Sequence, residues 1–272
     1  MLRNEGVITS AWGFRRYVQI HDLDRSLQAG VYQLPGDLSV SEAAQILVRG
    51  SMRQVDFVLF PGLTAAEIAR RVGAISGVSS QLFYRELEAE RIRRKYPFYE
   101  GFLFPGTYRL TLEGFCPSQF MREAFDRFDA WHAAHAEDIA RGDYSVAEIV
   151  IVASMVQREA GSAEEMPVIA GIIWRRLEMG MPLGIDATTR YELDDWENPL
   201  YREDLERLTP YNTRRGRGLP PTGISQPGQK ALDAALHPAT SDYLYYLHDR
   251  TGQIHYSRSY EAHLELVQRY LR

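Results

Sequence analysis

Glu159 stands where the sequence comes closest to a site of chemistry. It lies near the end of a run, Val146 to Ala160, that no breaker interrupts before Gly161 and that Ser145 and Glu148 open with capping-box spacing. On a helix at about 100° per residue, Glu159 shares a face with Val152, Met155 and Val156, a face that is otherwise apolar and should point inward. A carboxyl carried there is costly when ionised. Partial burial raises its pKa, and a carboxylic acid that keeps its proton near neutral pH can serve as a general acid. Glycosidic-bond cleavage needs such a group, because the departing sugar oxygen must be protonated as the bond breaks. The alternatives at this position are an ion pair with an arginine or a side chain that frays outward at the helix end.

Asp186 is the second carboxylate to weigh, as the partner of Glu159 or as a turn cap beside Thr188 and Thr189. Tyr211, Asn212 and Thr213 offer an aromatic face, donors and acceptors to a sugar; the bland reading is a turn in which Asn212 bonds its own backbone. Arg214, Arg215 and Arg217 could attract carboxylates or simply be solvated. Other constellations fail. His132 and His135 lack the glutamate that a zinc-binding His-Glu-x-x-His helix requires, and Cys116 is the sole cysteine, which excludes an internal disulfide and a multi-cysteine metal site. No nucleophile turn and no phosphate-binding glycine loop is present. Neither a metal nor a cofactor is expected.

The elements that must position these residues follow from periodicity and punctuation. Gly30 to Leu34 alternates like a short strand, and Val40, Ala43, Ala44 and Leu47 define an amphipathic helix that Gly50 ends. Val55 to Phe60 reads as a second strand, and Thr64 with Glu67 caps a helix over Ala65 to Val72. A charged helical stretch covers Ser80 to Lys95, and Glu100 to Arg109 is a turn between apolar segments. Helix signals resume from Pro117 to Ala140, where Phe120, Phe125, Phe128 and Trp131 form an aromatic stripe best read as core. A helix ending near Met179 follows the Glu159 helix. The chain then turns loop-rich over Asp186 to Asn198, at Tyr211 to Thr213 and at Gly218 to Pro221. Tyr243 to Leu247 and Gln253 to Ser257 form a hairpin, and an amphipathic helix closes the chain.

A chain of 272 residues, 45% hydrophobic and 25% charged, is long enough to bury a large core as one domain or two unequal ones. A net charge of −5 argues against a general nucleic-acid binder. No apolar run approaches the length that spans a bilayer, and residues 1–20 lack the core and cleavage site of a signal peptide.

Ala153-Ser154-Met155-Val156-Gln157-Arg158-Glu159-Ala160 resembles the Ala-Ser-Ile-Val-Glu-Lys-Glu-Ala/Thr helix of the MltG (YceG-like) endolytic murein transglycosylases. Further matches keep the family's order. Glu100 to Tyr108 resembles its Glu-Gly-x-x-x-Pro-Asp-Thr-Tyr segment, and Ala170 to Leu177 its second helix. Gly180 to Leu183 with Asp186, Thr188 and Tyr191 resembles its Gly-Met-x-Leu-x-x-Asp-Pro-Thr-x-x-Tyr stretch. Tyr211-Asn212-Thr213, Gly218 to Pro221 and Pro227-Gly228 resemble its most characteristic loop, Ala239 to Tyr246 its Tyr-Leu-Tyr strand, and Ala29 to Tyr32 its LysM-like module. The chain departs from the pattern at Gly106 (usually Asp), Gln157 (usually Glu), Arg175 (commonly Asn), Ala187 (usually Pro) and Arg214 (usually Tyr).

The resemblance implies an α+β fold, with a LysM-like module over residues 1–95 and a mixed α+β catalytic domain over residues 96–272. It implies a lytic cut between MurNAc and GlcNAc that leaves a 1,6-anhydro end, with Glu159 as acid and then base. Gln157, Asp186, Thr188, Tyr211, Asn212, Thr213 and Ser225 become the candidate substrate-binding residues. A hydrolase using Glu159 with Asp186, or a wall-binding scaffold without activity, are the competing readings. Glycan strands are the expected partner and cell-wall synthases further ones, with no nucleic acid. The expected location is extracytoplasmic, with a membrane anchor preceding the chain.

Overall fold

The computed structural model describes residues 2, 7–28, 32, 34, 36, 38–50, 54–112 and 115–272. It divides into two compact units, Met1–Asp56 with Arg109–Phe115, and Phe57–Tyr108 with Cys116–Arg272. The division therefore falls within two strands. The strand expected over residues 30–34 and the LysM-like motif over residues 29–32 lie largely outside the described residues.

In the first unit, α1 (Ala11–Ile20) starts where the Ser10 hydroxyl accepts the Gly13 amide at 3.1 Å. A reciprocal Ser39–Glu42 capping box opens α2 (Val40–Arg49). Val7, Ile8 and Ala43 form a small core, with Phe14, Leu34 and Leu38 packed against it. Strands β1 (Gln54–Leu59) and β2 (Gly106–Thr111) pair in a two-stranded sheet and run through the division.

The second unit begins with α3 (Ala65–Ser76), opened by the Thr64–Glu67 capping box, and α4 (Ser80–Arg94). Pro117 starts α5 (Pro117–Ala134), and the chain breaks at His135 before α6 (Ala136–Arg141), so the helical stretch read over 117–140 is two helices. The aromatic stripe of α5 is core: Phe120, Phe125, Phe128 and Trp131 are buried. Helix α7 (Val146–Glu159) is buried from Ile149 to Val156 on every face, as a helix apolar all round must be. It contacts α8 (Met166–Glu178) and α11 (Gln229–Leu236). Between these lie α9 (Asp186–Leu193) and α10 (Arg202–Glu206).

The region read as a loop from Asp186 onward thus contains a helix. No polar N-cap side chain announces it: Ile185 is the N-cap, and the β-branched Thr188 and Thr189 weaken a helix whose Ala187, Arg190, Glu192 and Leu193 favour it. Burial of Ala187, Thr188 and Thr189 holds it in place. The hairpin forms as β3 (Tyr245–His248) and β4 (Ile254–Ser257), antiparallel, with Tyr246 opposite Tyr256. Its turn is fixed by Asp249, whose Oδ1 accepts the amides of Thr251 at 2.8 Å and Gln253 at 3.0 Å. Helix α12 (Tyr260–Tyr270) ends the chain. The architecture is α+β, mainly helical with two small sheets among the described residues. No helix among the described residues is long and apolar enough to cross a membrane.

Candidate active site

Glu159 is the last residue of α7, and Ala160 leaves helical geometry (φ −75°, ψ 130°), so the carboxyl projects past the end of a rigid, buried rod. It projects into an open cleft of about 490 Å³, whose walls come from α8, the 181–184 loop, the start of α9, Arg214, β3 and α12. The Tyr246 hydroxyl, on β3, donates to Glu159 Oε2 at 2.9 Å. Burial raises the Glu159 pKa, and the charge of Asp186 raises it further. The Tyr246 hydroxyl, His248 and the Ala187 amide at the start of α9 pull it back, and the net direction is upward. Burial and the neighbouring Glu159 in turn push the Tyr246 phenol far above its ordinary range, so it stays a donor. The result is an acid that holds its proton longer than a solvated glutamate, with a hydroxyl aimed at the carboxylate it becomes.

Asp186 lines the same cleft, and its Oδ1 accepts Arg214 Nε at 2.6 Å. His248, one strand pleat from Tyr246, reaches Glu165 Oε2 at 2.9 Å. Burial pushes Glu165 up, but His248 and the Gly161 amide outweigh it and hold the carboxyl below its usual range. Arg176 fixes the floor: it donates to the carbonyls of Leu183 and Leu244 and lies 4.7 Å from the Tyr245 ring centroid.

Of the residues singled out in the sequence, the structure brings Glu159, Asp186 and Arg214 together in the cleft and places the other candidates around or away from it. Thr213 Oγ1 accepts the Ile185 amide at 2.9 Å, and Thr188 donates to the Ile185 carbonyl at 2.8 Å. Asn212 donates to the carbonyls of Leu205 and Arg207 and accepts the Arg214 amide at 3.1 Å, which fixes the loop that presents Arg214. All three are buried. Ser225 is buried beneath α7 and donates to the Ser154 carbonyl at 3.1 Å. Gln157 sits two residues, hence about 200°, around α7 from Glu159; it is absent from the cleft wall and accepts the Gly228 amide at 3.0 Å. Tyr211 lies beside Tyr191, their ring centroids 5.3 Å apart, in a cavity around Glu100.

Glu100 itself, the first residue of the Glu-Gly motif, is 3% exposed and caps a helix. The Ala65 amide at the start of α3 donates to both of its oxygens, at 3.0 and 3.2 Å, and Gln226 Nε2 and the Tyr191 hydroxyl donate as well. Burial nevertheless pushes its pKa up to about 8.

Sequence reasoning did not assign roles to Tyr246, His248, Glu165 or Arg176. The usable signal was the strand period: Tyr246 and His248 are two apart on a strand whose neighbours are also aromatic. What connects that strand to Glu159, 87 residues earlier, is visible only in three dimensions.

The model of the YceG-like family matches residues 1–269. An endolytic murein transglycosylase of Bacillus subtilis is 25% identical over 291 aligned residues, covering all of this chain and 80% of that protein. An endolytic murein transglycosylase of Streptococcus pneumoniae is 25% identical over 87% of this chain, which spans 49% of that relative's length. The crystal structure of a YceG-like protein from Listeria monocytogenes superposes with a TM-score of 0.73 at 26% identity, covering 97% of this chain and 93% of that one. A family match over residues 1–269 and a shared fold agree, and the chain belongs to the YceG-like family.

Proposed function

We propose that the protein is an endolytic peptidoglycan lytic transglycosylase with Glu159 as its catalytic acid. The observation that carries the proposal is a carboxyl held above its usual pKa in an open cleft, with a tyrosine hydroxyl on its oxygen. The names of the B. subtilis and S. pneumoniae relatives point to the same chemistry. In this reading Glu159 protonates the oxygen between MurNAc C1 and GlcNAc C4, and that C–O bond breaks. The MurNAc C6 hydroxyl closes onto C1 and gives its proton to the Glu159 carboxylate. The products are a 1,6-anhydroMurNAc end and a free GlcNAc 4-hydroxyl, and no water is consumed. One acid that becomes a base suffices, and Tyr246 stabilises the carboxylate between the two steps.

The tie between Asp186 and Arg214 favours this route, because a carboxylate already engaged by a guanidinium at 2.6 Å is a poor nucleophile or base. The hydrolytic reading is kept by one observation, that Asp186 shares the cleft and its charge bears on Glu159. Mass spectrometry of digested peptidoglycan separates the two, since anhydro products are one water lighter than hydrolysed ones. Glu159→Gln should abolish strand cleavage while leaving glycan binding intact; a Glu159→Gln protein that still cleaves would remove Glu159 from its role.

The same reading carries the remaining expectations. The N-terminal part, read as a LysM-like module over residues 1–95, would hold the wall polymer, and residues 96–272 would cut it. The enzyme would act outside the cytoplasm, end growing strands and meet cell-wall synthases there. Gln157, Thr188, Asn212, Thr213 and Ser225 would serve substrate binding through the loops and helix ends they brace.

A further inference from the structure

We propose that the tyrosine-walled cavities around Glu100, at the far end of α9 from the cleft, bind a neutral N-acetylhexosamine unit of the same β-1,4 glycan strand that Glu159 cuts. The proposal rests on the reading of the Glu159 cleft given above. Three side-chain pairs tie α9 to the loop that follows residue 210, in opposite directions along the chain. Asp186 meets Arg214 at 2.6 Å in the cleft, the Thr188 and Thr213 hydroxyls lie 3.2 Å apart, and the Tyr191 and Tyr211 rings face each other at 5.3 Å. Five helical residues rise about 7.5 Å and turn about 140°, so a strand that reaches both sites passes from the Asp186 side of α9 to the Tyr191 side.

Two cavities of about 300 and 350 Å³ meet there and share Tyr99, Glu100, Tyr191 and Tyr211. Tyr84 adds a further wall, its ring centroid 6.1 Å from that of Tyr99 and tilted by 52°. The charges at the rim are already engaged. Arg91 holds Glu88 at 2.8 Å, Arg70 holds Asp194 at 3.0 Å, and Glu192 accepts the Thr209 hydroxyl at 2.6 Å. The Glu100 carboxyl is engaged by three donors, the Ala65 amide, Gln226 Nε2 and the Tyr191 hydroxyl. What the walls offer is tilted aromatic faces and phenol hydroxyls, those of Tyr84 and Tyr99 without a hydrogen-bond partner among the described residues. Such a lining suits the C–H faces and hydroxyls of an uncharged pyranose and gives a charged peptide stem nothing to pair with.

The test uses the full chain and two measurements. In the first, KM is compared for long glycan strands and for a peptidoglycan tetrasaccharide, in wild type and in Tyr84→Ala/Tyr99→Ala. These two hydroxyls have no hydrogen-bond partner among the described residues, and Tyr99→Leu serves as a milder second variant if the double variant melts early. The long-strand KM should rise about tenfold relative to the tetrasaccharide KM. In the second, chitotetraose, a neutral β-1,4-linked GlcNAc tetramer, is titrated calorimetrically onto Glu159→Gln with and without the tyrosine changes, which should weaken binding by a similar factor. An unchanged KM ratio and unchanged chitotetraose affinity overturn the proposal. A wild type that cleaves neither substrate overturns the reading of the cleft instead, and the titration still decides the tyrosine site.

Discussion

Glu100→Gln isolates the energetic consequence of burying a carboxyl. Wild-type Glu100 has a folded pKa of about 8 against an ordinary 4.5, with burial as the leading cause. A raised carboxyl pKa means that the folded state holds its proton after the unfolded chain has lost it. Below pH 4.5 both states are protonated and the group is neutral in the balance. From there to pH 8 the unfolded state gains by ionising and the folded state does not, so stability falls as pH rises. At about 1.4 kcal/mol per unit, the 3.5-unit gap costs about 5 kcal/mol above pH 8, and about 3 kcal/mol of it by pH 7. Glutamine has the shape of the protonated acid. Its oxygen can accept the Ala65 and Gln226 donors, and its NH2 can donate to the Tyr191 hydroxyl. The substitution therefore removes the titration and keeps a partner for each of these groups, with the Tyr191 hydroxyl accepting where it donates to Glu100. Urea unfolding of both proteins at pH 4.5, 6, 7 and 8.5 reads the effect. The Glu100→Gln protein should match wild type at pH 4.5 and exceed it by an amount that grows to several kcal/mol at pH 8.5. A stability difference that stays flat across that range would show that Glu100 is ionised in the fold and would refute the reasoning.

Two further outcomes follow from single contacts. Tyr246→Phe removes the hydroxyl that lowers the Glu159 pKa. The alkaline limb of the pH–rate profile, where the acid loses its proton, should move to higher pH, and kcat should fall roughly 10- to 100-fold, the worth of a hydrogen bond to a charged group; a limb that moves to lower pH would contradict the assignment. Gly171→Ala would place a methyl 2.3 Å from the Ala239 carbonyl oxygen, where α8 passes the chain that leads to β3. Backbone cannot yield as a side-chain tip can, so thermal unfolding should show a loss of about 1–3 kcal/mol, and an unshifted melt would mean that α8 packs less closely there.

The parts of this fold that could be read from sequence are those whose signals are local. The capping boxes at Ser145 and Thr64 form as their spacing required, and the aromatic period of α5 is core. The α9 helix was hidden, because it has no polar N-cap side chain and its two threonines, weak helix formers, are held by burial against other segments. The site divides in the same way. Glu159 stood out because a carboxyl interrupts an apolar face, a pattern contained within two helical turns. Tyr246 and His248 carried no comparable mark, since each looks like an ordinary strand residue until β3 is placed against the end of α7. Tyr211, Asn212 and Thr213 were conspicuous, yet three neighbours in sequence face three directions, and Asn212 and Thr213 spend their polar atoms on backbone groups.

The departures from the family pattern acquire meaning from where they fall. Gln157 replaces a glutamate on the side of α7 that meets Gly228, where either residue offers an oxygen to the same amide. Gly106 faces the end of the Arg127 side chain, which donates to Thr107 and lies over the Tyr108 ring; an aspartate there would meet that guanidinium, away from the cleft. Arg175 is engaged with the Ser241 carbonyl and with Asp242. Arg214 and Ala187 alone touch the chemistry. Ala187 presents its amide to the Glu159 carboxyl, which a proline at that position could not do. Arg214 pairs with Asp186, which a tyrosine could not neutralise. Both differences act on the charge around one acid: the amide favours its ionised form, and the guanidinium offsets the neighbouring carboxylate that opposes it.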